Sequence, residues 1–213
     1  MNKITFLILT SFFCLITYGQ NSITNFGVQL TPTITSLVDK PFSGDYDPRV
    51  SFSTGINVER FITPQISLKS GLNFERIGSK VNILLTDEFG ALIGTREMKI
   101  NSDYLTLPIL ISSYTKGKSK FYLNAGPYFG FIISNKTIWS AVGDYPKQTL
   151  TGNKNMKRIN LGFTFGFGLS IPLSDVFLLD LGLRDNMGLL NTSKIGSIKT
   201  NSYGFQIGIK YSL

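Results

Sequence analysis

The chain has 213 residues, a formal net charge of +8, a single cysteine and no histidine. That length suits one domain, and the lack of histidine removes the commonest general base, the usual serine-hydrolase relay and most transition-metal sites. Lys and Arg are scattered and never form a run of three, so the positive charge reads as surface chemistry and not as a nucleic-acid footprint.

Residues 1–20 begin with Lys3, continue through an apolar run over 4–16 and reach Thr17 and Gly19 just before Gln20. This is the pattern of a secretory signal, cut near Gly19 or Gln20, and it is too short to cross a bilayer as a helix. Cys14 lies inside the run behind the bulky Phe13, which argues against a lipid-modified cysteine. Residues 21–213 are then a single domain free of cysteine, with neither a disulfide nor a thiolate zinc site. No segment beyond the signal has the roughly 18 consecutive apolar residues of a membrane helix.

What repeats instead is an alternation of period two. A first strand, 24–35, puts Phe26, Val28, Leu30 and Ile34 on one face and Asn25, Gly27, Gln29, Thr31 and Thr33 on the other. A loop-like stretch, 36–49, carries two prolines and three aspartates. The second strand, 50–62, turns at Thr63-Pro64-Gln65 into a third, 66–77. Residues 78–102 read as an extension of that strand and the next around a hairpin tip at Asp87, Glu88 and Gly90. The fourth strand, 104–114, contains Pro108, which cannot donate to a ladder, so a bulge or local break is expected there.

After the turn at 116–119, the fifth strand, 120–134, sets Phe121, Leu123, Phe129, Phe131 and Ile133 against Tyr122, Asn124, Gly126, Tyr128 and Gly130. A long loop, 135–158, holds Trp139 and four lysines. The sixth strand, 159–171, alternates most regularly, with Phe163, Phe165 and Phe167 against Gly162, Thr164, Gly166 and Gly168. A turn at 172–175 leads to the seventh strand, 176–186, and a loop, 187–200, to the last, 201–213, where Tyr203, Phe205, Ile207, Ile209 and Tyr211 oppose Gly204, Gln206, Gly208 and Lys210.

In the last strand the apolar face carries aromatics at both ends, and the other face is small and polar. That is the pattern of lipid outside and a polar lumen inside. The connections alternate long and short, four long and three short, as required of an eight-stranded antiparallel up-and-down transmembrane β-barrel with long external loops and short periplasmic turns. A soluble barrel around a ligand cavity would instead need its apolar face inside, and the sixth strand would fill that cavity with phenylalanine.

Eight strands leave an interior just wide enough for side chains. The facing assignments send Glu59, Glu75 and Asp180 into the lumen against Lys69, Arg184 and Lys210. Charges in a narrow interior persist when paired, so these six are expected to form a structural charge network, with a polar path for protons or small ions as the alternative. Inward glycines at 162, 166, 168, 182, 204 and 208 offer space for Tyr104, Tyr122 and Tyr128. The carboxylate pairs Asp45 with Asp47 and Asp87 with Glu88 fall on external loops, where solvated acids are the default and weak cation binding is the alternative. No catalytic, cofactor or metal site is expected, and no enzymatic activity.

Three segments then carry a resemblance: SLKSGLNFERIGSKV (67–81), YLTLPILISSY (104–114) and FYLNAGPYFGFII (121–133). In the order and spacing of "GL.ER.G", "YL.LP" and "NAGPY.G", the chain resembles the PorT-type outer-membrane β-barrel family of Bacteroidota. The resemblance implies an eight-stranded barrel in the outer membrane of a Gram-negative bacterium, but no residue-level site travels with it. Three roles are expected to compete: a structural or surface-interaction barrel acting through its loops, an accessory of a protein secretion system as the resemblance implies, and a small-solute channel. On the loops, Phe42, Tyr46, Phe89, Trp139, Tyr145 and Lys147 are candidates to meet lipopolysaccharide. The expected partners are membrane lipid and lipopolysaccharide, the barrel-assembly machinery during biogenesis, and secretion-system proteins; nucleic acid is not among them.

Overall fold

The computed structural model describes residues 23–39, 47–86, 89–143, 145–194 and 196–213. The expected signal segment, with Cys14 and its cleavage site, lies outside them, as do Phe42, Asp45, Tyr46, Asp87 and Glu88.

Nine antiparallel strands form among the described residues: β1 Thr24–Asp39, β2 Asp47–Thr63, β3 Ile66–Thr86, β4 Leu92–Tyr114, β5 Lys120–Trp139, β6 Gln148–Thr151, β7 Ile159–Pro172, β8 Phe177–Gly188 and β9 Ile198–Ser212. Eight of them make a ring in the order β4-β3-β2-β1-β9-β8-β7-β5, closed by the pairing of β4 with β5. The short β6 pairs only with the outer end of β5, so it belongs to an external hairpin and not to the wall. The eight-stranded up-and-down barrel expected from the alternation is therefore the architecture found.

Several strands are longer than the alternation alone suggested. β1, β3, β4 and β5 continue beyond the apolar band, and β9 begins at Ile198, three residues before the expected start. Their ladders carry on from the wall, with one extra residue in β5 between Tyr104↔Ile132 and Asp103↔Ser134. The β3–β4 hairpin reaches its tip near Gly90, whose φ of 82° suits glycine.

Pro108 interrupts pairing without changing register. The β3–β4 ladder steps from Ser70↔Ile109 to Asn73↔Thr106, and the β4–β5 ladder from Pro108↔Tyr128 to Ile111↔Ala125. The Ser70 hydroxyl donates to the Pro108 carbonyl at 2.8 Å, so the expected break is present and partly bridged by a side chain. A bulge occurs elsewhere: between Ser53↔Glu75 and Pro48↔Ser79, β2 carries one residue more than β3. There Thr35 of β1 reaches across, donating to the Gly78 carbonyl at 2.9 Å and accepting from its amide at 3.0 Å.

Burial is inverted relative to a soluble domain. Phe26, Val28, Leu30, Phe163, Phe165, Phe167, Phe205 and Ile207 are exposed, whereas Thr31, Asn73, Thr164, Gln206 and Lys210 are buried. The inward glycines make room for the tyrosines. A Cβ at Gly162 would stand 2.3 Å from the Tyr128 ring, and at Gly168 and Gly182 it would stand 2.6 and 2.4 Å from the Tyr122 hydroxyl. We predict that Gly182→Ala lowers barrel stability by about 1–3 kcal/mol, measured by urea unfolding in lipid vesicles. The same change in a Tyr122→Phe background should cost clearly less, because the clashing oxygen is gone.

Candidate functional site

Among the described residues, the lumen gathers most of the ionisable side chains that are held out of water. Period-two alternation fixes which residues enter it, and register fixes their height. At the periplasmic end, Glu59 of β2 lies opposite Lys69 of β3, while Lys210 of β9 enters beside Asp180 of β8.

Lys210 is the hub. Its Nζ donates to Glu59 Oε2 at 2.8 Å and stands 3.0 Å from Asp180 Oδ1. It also lies over the rings of Tyr122 and Tyr114, 5.6 and 5.9 Å from their centroids. Glu59 Oε1 accepts from the Tyr114 hydroxyl at 2.6 Å and from Ser67 Oγ at 2.5 Å. Asp180 Oδ2 is 3.6 Å from Lys69 Nζ and accepts from Gln206 Nε2 at 3.3 Å.

A second group lies one layer above. Asn186 Nδ2 donates to both oxygens of Glu75, at 2.9 and 3.1 Å, and Thr164 donates to Asn186 Oδ1 at 2.8 Å. Arg184 Nη2 lies 3.6 Å from Glu75 Oε1. Gln29 joins the wall across the same layer, donating to Asn73 at 2.8 Å and accepting from Asn57 at 3.2 Å. All six charged residues singled out by alternation thus lie in the lumen and are buried, three acids with three bases. They form two separate groups: Glu59, Lys69, Asp180 and Lys210 below, Glu75 and Arg184 above.

Space between the layers is small. The cavity bordered by Gln29, Asn73, Asn124, Arg184 and Asn186 has a volume of about 20 Å³, room for about one water molecule. Nearer the extracellular end, Leu37, Ile77 and Tyr104 form a buried apolar cluster, packed by Ile100, Ile132 and Ile198. Alternation within the wall did not foresee this plug, because Leu37 and Ile198 sit on strand extensions read as loop.

Above the membrane, a clamp joins two loops. Arg96 of β4 donates to the carbonyls of Ser140 and Pro146, each at 2.9 Å, and its guanidinium lies 5.3 Å from the Trp139 ring centre and 5.9 Å from that of Tyr145. Trp139 and Tyr145 are therefore partly engaged in holding the loop, while Phe89 and Lys147 are exposed. Beside the clamp, Lys99 donates to Glu97 at 2.8 Å, and that hydrogen bond holds the Glu97 carboxyl below its ordinary range.

A family model described as outer membrane protein beta-barrel domain matches residues 18–194. The chain belongs to that family. Its place is the outer membrane, in keeping with the apolar outer wall. Among solved structures, it is similar to the outer membrane protein OprG of Pseudomonas aeruginosa, with 15% identity, 90% of this chain and 95% of that one covered, and a TM-score of 0.45. It is similar also to the attachment invasion locus protein Ail of Yersinia pestis, with 11% identity, 89% and 99% covered, and a TM-score of 0.44. Neisserial surface protein A matches with 15% identity, 87% and 96% covered, and a TM-score of 0.44. A search of curated proteins returns no match.

The charge layer has a measurable consequence. Replacing Lys210 by Met leaves Glu59 and Asp180 with one cation, Lys69, between them, and is predicted to cost about 3–5 kcal/mol of unfolding free energy. Removing one charge of each sign, Lys210→Met with Glu59→Gln, should recover most of that loss in vesicle unfolding. Because tyrosines, charges and the apolar plug fill the lumen, the refolded barrel in a planar bilayer is predicted to show no conductance above the bare membrane.

Proposed function

We propose that this protein is a surface-interaction barrel whose working part is the external loops, and that its partners there are phosphate-bearing surface glycolipids such as lipopolysaccharide. The observation that carries the reading is a charge asymmetry on the extracellular rim. Loops 135–158 and 187–200 contain seven cations, Lys136, Lys147, Lys154, Lys157, Arg158, Lys194 and Lys199, and one acid, Asp144. All seven cations are exposed.

The two loops are also joined into one platform. The Lys157 amide donates to the Thr192 carbonyl at 2.8 Å, and the Lys194 amide to the Asn155 carbonyl at 2.9 Å. Lys194 Nζ donates to the Lys154 carbonyl at 2.9 Å. A platform preorganised by backbone bonds presents its cations at lower entropic cost than independent loops would. The filled lumen supports the same reading, since it leaves no wide aqueous path for a channel function.

A second reading, accessory of a protein secretion system, rests on the PorT-type resemblance of 67–81, 104–114 and 121–133 and would place the source among Bacteroidota. It requires stable association with other envelope proteins. No catalytic role is assigned on either reading.

The loop reading is tested with Lys154, Lys157, Arg158 and Lys194 all changed to Gln. Each cation near an anionic surface contributes about 1 kcal/mol. Binding of the refolded barrel to lipopolysaccharide micelles should therefore weaken at least about tenfold, and the wild-type affinity should fall with added salt. Equal binding by both proteins would overturn the proposal.

A further inference from the structure

Asp185 faces lipid. It lies on β8 between the inward residues Arg184 and Asn186, with Leu183 below and Met187 above it on the outer wall. Its cross-strand neighbours are Phe165 of β7 and Tyr203 of β9, both exposed on that wall. Its Oδ1 is shielded by its surroundings and has no hydrogen-bond partner among the described residues.

The contrast is with Asp103, which also points outward. Asp103 is held by Arg76, Nε to Oδ1 at 2.6 Å and Nη2 to Oδ2 at 3.0 Å, and Arg76 lies over the rings of Phe52 and Phe74. On that side of the barrel a carboxylate, a cation and two aromatic rings complete one another within the chain. Around Asp185 the carboxylate and the rings are present, but Arg184, which also lines the groove, turns into the lumen toward Glu75, and no described cation pairs with Asp185.

Asp185 borders a groove of about 530 Å³ in the outer wall, lined also by Ile34, Phe165, Phe167, Tyr203 and Phe205. Aromatic faces around a carboxylate form a receptor for a cation, through charge and through ring attraction together. An ionisable group on the lipid-facing wall is costly when left alone, and such residues characteristically pair.

We propose that this groove is a lateral docking surface for another outer-membrane protein, which presents a Lys or Arg side chain to Asp185. Charge complementarity selects that occupant. Phosphate-bearing head groups would repel the carboxylate. A second copy of this chain could offer Arg76 only by giving up its pair with Asp103. The inference is independent of the loop platform, because it concerns the wall and not the rim.

The test is photo-crosslinking in whole cells, with a photoreactive phenylalanine at Phe167 in the groove and, as control, at Leu72 on the opposite wall. We expect one protein adduct at 167 and none at 72, with the linked peptide containing Lys or Arg. In an Asp185→Asn background the adduct should fall about tenfold or more. It should return when Asp185→Lys is combined with Glu at the partner's cation. Asp185→Asn removes a charge from the lipid face, so the barrel should assemble normally, checked by its heat-modifiable gel mobility. Adducts to lipid alone, adducts to a second copy, equal adducts at both positions, or an adduct that survives Asp185→Asn would each overturn the proposal.

Discussion

The structure depends on one constraint: within lipid, every backbone donor and acceptor must be paired inside the protein. Pairing β1 with β9 along Asn25↔Ser212 to Asp39↔Ile198 removes the last open edge. Once the ring is closed, alternation assigns every second side chain to lipid and the rest to a lumen too narrow for bulk water. The inverted burial follows, with phenylalanine and isoleucine outside and asparagine, threonine and charge inside.

A closed lumen places its own demand on the residues that enter it. A carboxylate there needs a cation or donors within reach, and Glu59 has Lys210, Tyr114 and Ser67. The lower group holds two acids with two bases and the upper group one of each, so each group is neutral within itself. Glycine contributes by absence: Tyr122 and Tyr128 fill the lumen because Gly162, Gly168 and Gly182 present no Cβ to stop them.

The wall and the charges were legible in sequence because both follow from period two. Strand β7 reads Ile159, Leu161, Phe163, Phe165 and Phe167 against Gly162, Thr164, Gly166 and Gly168, and no other structure uses that pattern economically. The break at Pro108 followed from its missing donor. What period two cannot reveal is contact between strands distant in sequence. The bulge in β2 bridged by Thr35, the plug of Leu37, Ile77 and Tyr104, and the Arg96 clamp all depend on register. Asp185 was hidden differently: only the register shows Phe165 and Tyr203 on either side of it, and its Oδ1 has no hydrogen-bond partner among the described residues.

A lumen filled in this way moves recognition to the outside of the molecule, where two surfaces differ in the physics they offer. The rim is wet, so its cations act through summed, salt-screened attraction, and no single lysine there decides much. The wall is dry, so one carboxylate at Asp185 carries a weight that a solvated acid such as Glu97 does not. The Arg76–Asp103 pair shows how this same wall closes such a charge when both partners belong to the chain. Where only half of the arrangement is present, the missing half is chemically defined: a cation, reaching the carboxylate between aromatic rings from the side of the membrane.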